Sequence, residues 1–234
     1  MAITFVAGTT TPGSTTGTTG TITAGPLTVS VGDLIVLLGN NQSGSTPTFG
    51  FTDNRNSGSY TVKANNTDGS RVNFVAYKVC NNSGSLSTIS WTNGPNGASM
   101  GWNLMQFTGF VGTATDAGDY TGVLHYGSTG TAVAGTSFNT SQANELVCAF
   151  AYDAGTATTW GTAPASPWTN PTLGGNGNTP NQIASSYQVV TTAGTATQLT
   201  GTLSVADFWA VTQIGFWDAP PPPPPFPLFG QILM

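Results

Sequence analysis

The fold of this chain is decided by a short apolar stretch, GDLIVLL at residues 32–38, because its pattern returns as NELVCAF at residues 144–150. In each copy an acidic residue at a turn precedes a nearly unbroken apolar run. Such a run is far too short to span a bilayer and suits a strand that is buried on both faces. We therefore expect both runs to be central strands of the core.

The segments that follow each run also match, and they do so in the same order. VAYKV at residues 75–79 has its counterpart in SSYQV at 185–189, and WNLMQF at 102–107 has its counterpart in WAVTQI at 209–214. The offset between the copies falls only from 112 to 107 residues along the chain. We interpret this pattern as an internal duplication, in which two similar multi-strand units build one body.

The domain organisation follows from the duplication. The repeats are expected at approximately residues 30–110 and 143–218, with a connector at 111–142. Residues 1–218 are predicted to form a single body, and residues 219–234 a separate C-terminal segment with a different composition.

The composition predicts an all-β fold. Only 6% of the residues are charged, whereas about 25% are charged in an ordinary soluble protein. Gly, Thr, Ser and Asn are abundant, and these residues are weak helix formers while Thr suits strands. The pattern gives ten to twelve strand candidates and no helix candidate. We expect a two-sheet antiparallel sandwich of jelly-roll type.

The charges argue against a nucleic-acid partner, because the net charge is −5. The four cations Arg55, Lys63, Arg71 and Lys78 all fall within one stretch, and we interpret them as solvated strand edges rather than a basic patch. The first residues lack a basic region followed by a long apolar region, so no signal peptide is predicted. We expect synthesis in a host cytoplasm and no membrane partner.

No combination of residues in the sequence predicts an active site. The lone histidine, His125, has no candidate nucleophile beside it, and Cys80 and Cys148 are predicted to be buried thiols. Asp116 and Asp119 flank a glycine-containing loop, but no Asp-rich pattern of a calcium loop surrounds them. We predict a protein that is not an enzyme, with no catalytic, cofactor-binding or metal-binding residues.

The other acidic residues of interest are predicted to hold turns. Asp33 and Glu145 stand at matching positions of the two units and are expected to cap the turns before the apolar runs. Asp53, followed by Asn54, is typical of an Asx turn.

The C-terminal segment differs from the body. Residues 220–225 are six consecutive prolines, which predict an extended polyproline II rod of roughly 20 Å. The residues beyond are almost wholly apolar, so we expect them to dock on a neighbouring subunit. The alternatives are a cloning remnant, or a strand that folds back on its own body. The predicted docking residues are Phe226, Leu228, Phe229, Ile232, Leu233 and Met234.

Four short motifs carry a family resemblance. They are GDL at residues 32–34, TDN at 52–54, FTG at 107–109 and ANEL at 143–146. In this order, before or after strand-like runs, they resemble the Gly/Thr-rich β-sandwich proteins of tailed-phage structural gene clusters. The resemblance covers roughly residues 30–217, and the class supplies no catalytic residues.

The resemblance and the composition together imply a function. We expect a virion structural protein of a tailed bacteriophage, and first among such proteins a capsid decoration or cement protein. Its partners would be other capsid or tail subunits and further copies of itself, and its location the virion. The second expectation within this class is a component of the phage tail or fibre. The competing class is a carbohydrate-binding module that stacks glycans on exposed aromatic residues, with Trp168, Trp160 and Tyr120 as the candidates.

Overall fold

The chain is described by a computed structural model over residues 3–8, 13–15, 19–41, 50–66, 72–92, 100–110, 113–125, 130–153, 159–175 and 182–219. All regular secondary structure in these ranges is β-strand, which confirms the all-β prediction. The first nine strands are β1 (Thr4–Gly8), β2 (Gly13–Thr15), β3 (Thr19–Val29), β4 (Leu34–Asn41), β5 (Gly50–Asp53), β6 (Thr61–Asn66), β7 (Val72–Val79), β8 (Gly84–Thr92) and β9 (Met100–Thr108). The next ten are β10 (Thr113–His125), β11 (Ala132–Ala134), β12 (Phe138–Asn139), β13 (Glu145–Asp153), β14 (Trp160–Thr162), β15 (Thr169–Gly175), β16 (Gln182–Val190), β17 (Ala196–Thr197), β18 (Thr200–Leu203) and β19 (Trp209–Ala219).

The described strands form two large sheets and three smaller ones, all antiparallel. The first large sheet has the order β1-β9-β4-β7-β6, with β2 also paired to β9, and the second has the order β10-β19-β13-β16-β15. The first small sheet is β3-β8-β5, the second small sheet is β11-β18-β14, and β12 pairs with β17. The two large sheets therefore share one strand order, with β4, β7 and β9 in the places that β13, β16 and β19 occupy in the second.

Two sequence predictions about strands need correction. The connector at 111–142, interpreted as one crossing strand and a loop, contains three strands, β10, β11 and β12, which pair with β19, β18 and β17. The stretch 162–181 is rich in Pro, Gly and Asn, a composition typical of a loop, but it contains β15 paired with β16. The predicted total of ten to twelve strands is also too low. The missed strands are short or rich in Thr and Gly, so they carry little apolar periodicity for a sequence pattern to detect.

Side chains of β4 and β13 alternate between two packing layers each. On β4, Ile35 and Leu37 pack with the first small sheet, while Leu34, Val36 and Leu38 join a central cluster between the two large sheets. On β13, residues 146, 148 and 150 join the same central cluster, whereas residues 147, 149 and 151 pack with the second small sheet. Each of the two strands therefore contributes side chains to a different core cluster on each of its faces, which explains why both runs are apolar at every position.

The turns that enter β4 and β13 have matching backbone conformations. Gly32 has a φ of 92° and Asn144 a φ of 57°, and each directly precedes the acidic residue of its turn. Glycine carries no Cβ penalty in this left-handed region, and Asn is among the few other residues that tolerate it. The exchange of Gly for Asn between the two copies therefore keeps the turn geometry.

The pairing register relates the two large sheets residue by residue. Val36 pairs with Tyr77 in the first, and Cys148 pairs with Tyr187 in the second. Leu34 pairs with Phe107, and Leu146 pairs with Phe216. Tyr77 therefore matches Tyr187, and Phe107 matches Phe216, as two equivalent sheets require.

The tryptophans of β9 and β19 do not share a register position, although the sequence pattern aligned them. Trp102 pairs with Gly39, whereas Trp209 pairs with Asp153, which is two positions further from the start of its central strand. A shift of two residues leaves a side chain on the same face of a strand. Both tryptophans are accordingly buried against the small sheet of their own unit, as predicted for core residues.

Candidate functional site

The six residues that the sequence predicts for partner docking, 226, 228, 229 and 232–234, lie outside the described part of the chain. β19, the last described strand, ends at Ala219, which pairs with Thr113 at the start of β10. The described part of the chain therefore ends on the β10–β19 side of the second large sheet.

The two matching acidic residues hold the turns before β4 and β13, as predicted. Asp33 is buried, and its Oδ2 accepts hydrogen bonds from the backbone N–H of Ser30 at 2.8 Å and from the side-chain amide of Gln106 at 2.8 Å. Glu145 is buried, and its Oε2 accepts the backbone N–H groups of Ser141 at 3.0 Å and Gln142 at 3.2 Å. Both carboxylates thus satisfy backbone donors of their own turns.

Asp53 organises a polar cluster at the end of β5. Its Oδ1 accepts the backbone N–H of Arg55 at 2.8 Å, which is the Asx turn that the sequence predicts. The same carboxylate accepts hydrogen bonds from the side-chain N–H groups of Asn56. The side-chain oxygen Oδ1 of Asn56 in turn accepts the backbone N–H groups of Asn81 and Asn82. The cluster therefore ties the loop after β5 to the loop after β7.

Lys78 is buried within this cluster, although the sequence suggested a solvated edge. Its side chain is 8% exposed, and its Nζ lies 3.9 Å from the Asp53 carboxylate. The ammonium also donates to the backbone carbonyls of Asn56 at 3.3 Å and Gly58 at 2.5 Å, and it lies 5.3 Å from the ring centroid of Tyr60. Burial and the nearby Asp53 carboxylate raise the pKa of the Tyr60 phenol. Lys78 therefore stabilises the loop after β5 and does not contribute to a surface basic patch.

The structure describes two of the other three cations. Arg55 is exposed, and its guanidinium lies over Gly84, whose φ of 133° and missing side chain leave room for it. Lys63 lies half-buried on the edge strand β6. Arg71 lies outside the described residues.

Both cysteines are free thiols and both are buried, as predicted. Burial, reinforced by the Asp33 carboxylate, raises the pKa of the Cys80 thiol to about 12. Burial alone raises the pKa of the Cys148 thiol. Because the thiolate is the nucleophile, a raised pKa leaves both thiols unreactive near neutral pH.

The aromatic candidates for glycan stacking belong to different elements of the fold. Trp168 is 8% exposed, belongs to the core of the second unit, and donates its indole N–H to the backbone carbonyl of Gln198 at 3.1 Å. Its prediction as an exposed platform is wrong, because the loop that holds it folds onto the second small sheet. Trp160 is half-buried against the same core cluster. Tyr120 lies on β10, where its backbone pairs with Ile214.

The remaining candidates for chemistry lie on one strand. Asp116, Asp119 and His125 belong to β10, and the pairing register of β10 shifts between Asp116 and Tyr120. The two aspartates thus lie at a bulge within a strand, and not beside a loop as the sequence indicated. Within the described residues, no three His, Cys, Asp or Glu residues are grouped closely enough to hold a metal ion. That part of the chain likewise has no helix that could cross a membrane.

Two shallow grooves lie over the small sheets. The first, of about 170 Å³, is lined mainly by Gly50, Thr52, Ser59, Ser90 and Thr92, with Phe51 and Trp91 completing it. The second, of about 310 Å³, is lined by Thr162, Ala163, Ala165, Thr200, Gly201 and Thr202. Neither contains a charged residue. Hydroxyl groups that donate and accept hydrogen bonds are therefore the functional groups available in both.

Comparison of the chain with protein-family models, with curated proteins and with solved structures gave no match.

Proposed function

We propose that the protein is a structural subunit of a tailed-phage virion, and specifically a capsid decoration protein that attaches through subunit contacts and its C-terminal segment. The observation that carries this proposal is the contrast between body and tail. In the body, the acidic side chains Asp33, Asp53 and Glu145 hold its own turns. In the tail, an apolar nonapeptide follows six prolines.

The architecture of the body suits a particle component. We propose that each unit is a two-layer sandwich of jelly-roll type, formed by a large sheet and its small sheet, and that the two sandwiches are joined through their large sheets. Such a body presents few charges to its surroundings, so close contact with other protein surfaces involves little charge desolvation.

The tail supplies the attachment in this proposal. Prolines cannot donate to a sheet ladder, so residues 220–225 act as a spacer, while residues 228–234 are free to add as a strand to a neighbour's sheet edge. Seven such residues bury a few hundred Å², which offers several kcal/mol at about 25 cal/mol per Å² before ordering costs. One such contact is weak, but many copies in a symmetric particle give strong avidity.

The first experiment is mass spectrometry of purified particles from a culture that expresses the chain. We expect the protein at a stoichiometric ratio to the major capsid protein. Its absence from the particles would exclude a virion role. Labelling the protein in electron micrographs then separates the head position proposed here from a tail or fibre position.

The second experiment tests the tail with a matched pair of variants. One lacks residues 219–234, and the other keeps the prolines but replaces Phe226, Leu228, Phe229, Ile232 and Leu233 by Ser. Both are expected to give a folded body, judged by its thermal transition, that no longer binds particles stripped of the protein. Binding with unchanged affinity by either variant would contradict the docking role.

A further inference from the structure

The outward face of the first small sheet is a regular array of hydroxyl groups. Thr21 on β3 pairs with Ser90 on β8, and Ser90 pairs with Thr52 on β5, so that one row of three hydroxyl residues crosses the sheet. The next row contains Thr19 and Thr92 and ends at Gly50. All the Thr and Ser residues of these two rows are exposed, while the alternating residues Ile22, Phe51 and Trp91 face the core.

The first groove lies where the second row lacks a side chain. Gly50 has an ordinary φ, and a Cβ built there would approach the Thr92 hydroxyl at 2.9 Å, so a larger side chain would fill the space. The hydroxyls of Thr52, Ser90 and Thr92, with Ser59 from the following loop, surround the groove. Asp53, the nearest acidic residue on β5, has a fully buried side chain. The groove is therefore uncharged, and its hydroxyl groups lie among apolar surface that includes Phe51 and Trp91.

The second groove repeats this chemistry at the corresponding strands of the second unit. β14 and β18 occupy the same places in the second small sheet as β5 and β8 in the first. Thr200 and Thr202 stand two residues apart on β18, as Ser90 and Thr92 do on β8, and Thr162 adds a hydroxyl from β14. Two grooves of one chemistry thus lie on the first and second small sheets of the body.

We propose that the two grooves are paired binding sites for a neutral glycan. A hydroxyl group both donates and accepts hydrogen bonds, so it matches the hydroxyls of an uncharged sugar without requiring a counter-charge. A charged ligand would find no opposite charge in either groove, and transferring its charge out of water would be unfavourable. The proposal uses different residues from an aromatic stacking platform, and it holds whether or not the protein belongs to a virion.

The size of the grooves predicts weak single sites and strong paired ones. Ligand pockets commonly measure about 300–1,000 Å³, so the first groove is small and the second lies at the lower limit. A repeating polysaccharide engages both grooves of one molecule, or grooves of several molecules, and thereby gains avidity of about 10²–10⁴-fold. The expected ligand is therefore a polymer of neutral sugars rather than a single sugar.

The test is affinity electrophoresis of the full chain in native gels that contain dextran, mannan or galactomannan, with alginate as the anionic comparison. Each protein is compared with its own mobility in a gel without polysaccharide, which removes the effect of added charge. We expect retardation by at least one neutral polymer and none by alginate. The variants Ser90→Glu and Thr200→Glu place a charge in one groove each, at exposed strand positions where the fold tolerates it.

Each single variant is expected to weaken the apparent affinity for the polymer about 100-fold, and the double variant to abolish retardation. Thr28→Glu on the same outer face and Thr131→Glu beside the second small sheet are matched controls, because both are exposed and neither lines a groove. Ser90→Ala and Thr200→Ala, which remove a hydroxyl without adding charge, are expected to give an intermediate loss.

Three results would overturn the proposal. They are no retardation by any neutral polymer, equal retardation by alginate, and groove variants that migrate like the controls. Sedimentation velocity tests whether a second copy of this chain binds the face instead of a glycan. If the wild type self-associates and Ser90→Glu does not, the face is an interface between copies of the chain and the glycan proposal is wrong.

Discussion

Tyr77 meets Phe216 edge-on across the boundary between the two large sheets, with ring centroids 4.9 Å apart and ring planes inclined by 71°. Tyr187 meets Phe107 in the same way, at 5.3 Å and 77°. Since Tyr77 matches Tyr187 and Phe107 matches Phe216 in the pairing register, the two contacts are the same contact with the units exchanged. Such reciprocity is the property of a twofold interface, here formed within one chain.

The reciprocal contact predicts a measurable coupling. Tyr77→Ala and Phe216→Ala are each expected to lower the free energy of unfolding by about 2–4 kcal/mol, since each removes a ring from the central cluster. The double variant should lose about 0.5–1.5 kcal/mol less than the sum of the two, because the edge-to-face contact is lost only once. Urea denaturation of the four proteins gives these values. Phe51→Ala, in the first small sheet, is expected to be additive with Phe216→Ala, and equal coupling in both pairs would contradict the assignment.

Neighbouring aromatic residues at the start of β19 predict opposite results. Trp209 is 7% exposed and packs in the core of the second unit, whereas Phe208 is 41% exposed. We expect Trp209→Ala to cost about 3–5 kcal/mol and Phe208→Ala about 0.5 kcal/mol or less. Chemical denaturation measures both. Similar losses at the two positions would contradict the assignment of Trp209 to the core and of Phe208 to the surface.

The buried ammonium of Lys78 predicts a strong effect at a position that the sequence marks as a solvated edge. Lys78→Met keeps the unbranched apolar part of the side chain but leaves the Asp53 carboxylate without its cation and two loop carbonyls without their donor. We expect a loss of about 3 kcal/mol in the free energy of unfolding. Lys63→Met, half-buried on the edge strand β6, is the comparison and is expected to cost clearly less, about 1 kcal/mol.

The raised pKa values of the thiols predict that the protein loses stability at alkaline pH. The unfolded chain releases the Cys80 proton near pH 8.5, but the folded chain keeps it until about pH 12. Between these values the folded state binds more protons, so the free energy of unfolding falls as the pH rises. Cys148 acts in the same direction. Denaturation at pH 8, 9, 10 and 11 should show this decline, and Cys80→Ala should make it less steep; an unchanged slope would contradict the burial of the thiol.

The central strands were predictable because β4 and β13 are buried on both faces. Unbroken apolar runs and their turn residues Asp33 and Glu145 are local signals that need no knowledge of the partner strands. The shortest strands give no such signal, because β11 and β14 have three residues each and β12 and β17 have only two. The same weakness hid the extent of β10, which is rich in Thr and Gly.

The register of β19 and the role of Lys78 lay beyond the sequence for a different reason. Apolar patterns shifted by two residues leave the same side chains on the same face, so the pattern could align Trp102 with Trp209 while the backbone pairing does not. The carbonyls that receive the Lys78 ammonium belong to Asn56 and Gly58, which only folding brings near it. The hydroxyl residues of the grooves could not be singled out from the sequence, because Thr and Ser occur throughout the chain.

The double-faced burial of β4 has a consequence for synthesis. The first large sheet is complete once β9 ends at Thr108, but the sheet that covers Leu34, Val36 and Leu38 is completed only by β19, which ends at Ala219. At typical elongation rates of about 5–20 residues per second, the ribosome needs roughly 5–20 s to make the intervening chain. During that interval the nascent first unit displays an apolar sheet face, and neighbouring nascent chains on the same messenger display the same face. Until β19 is made, this exposed apolar face is a surface through which nascent chains can aggregate.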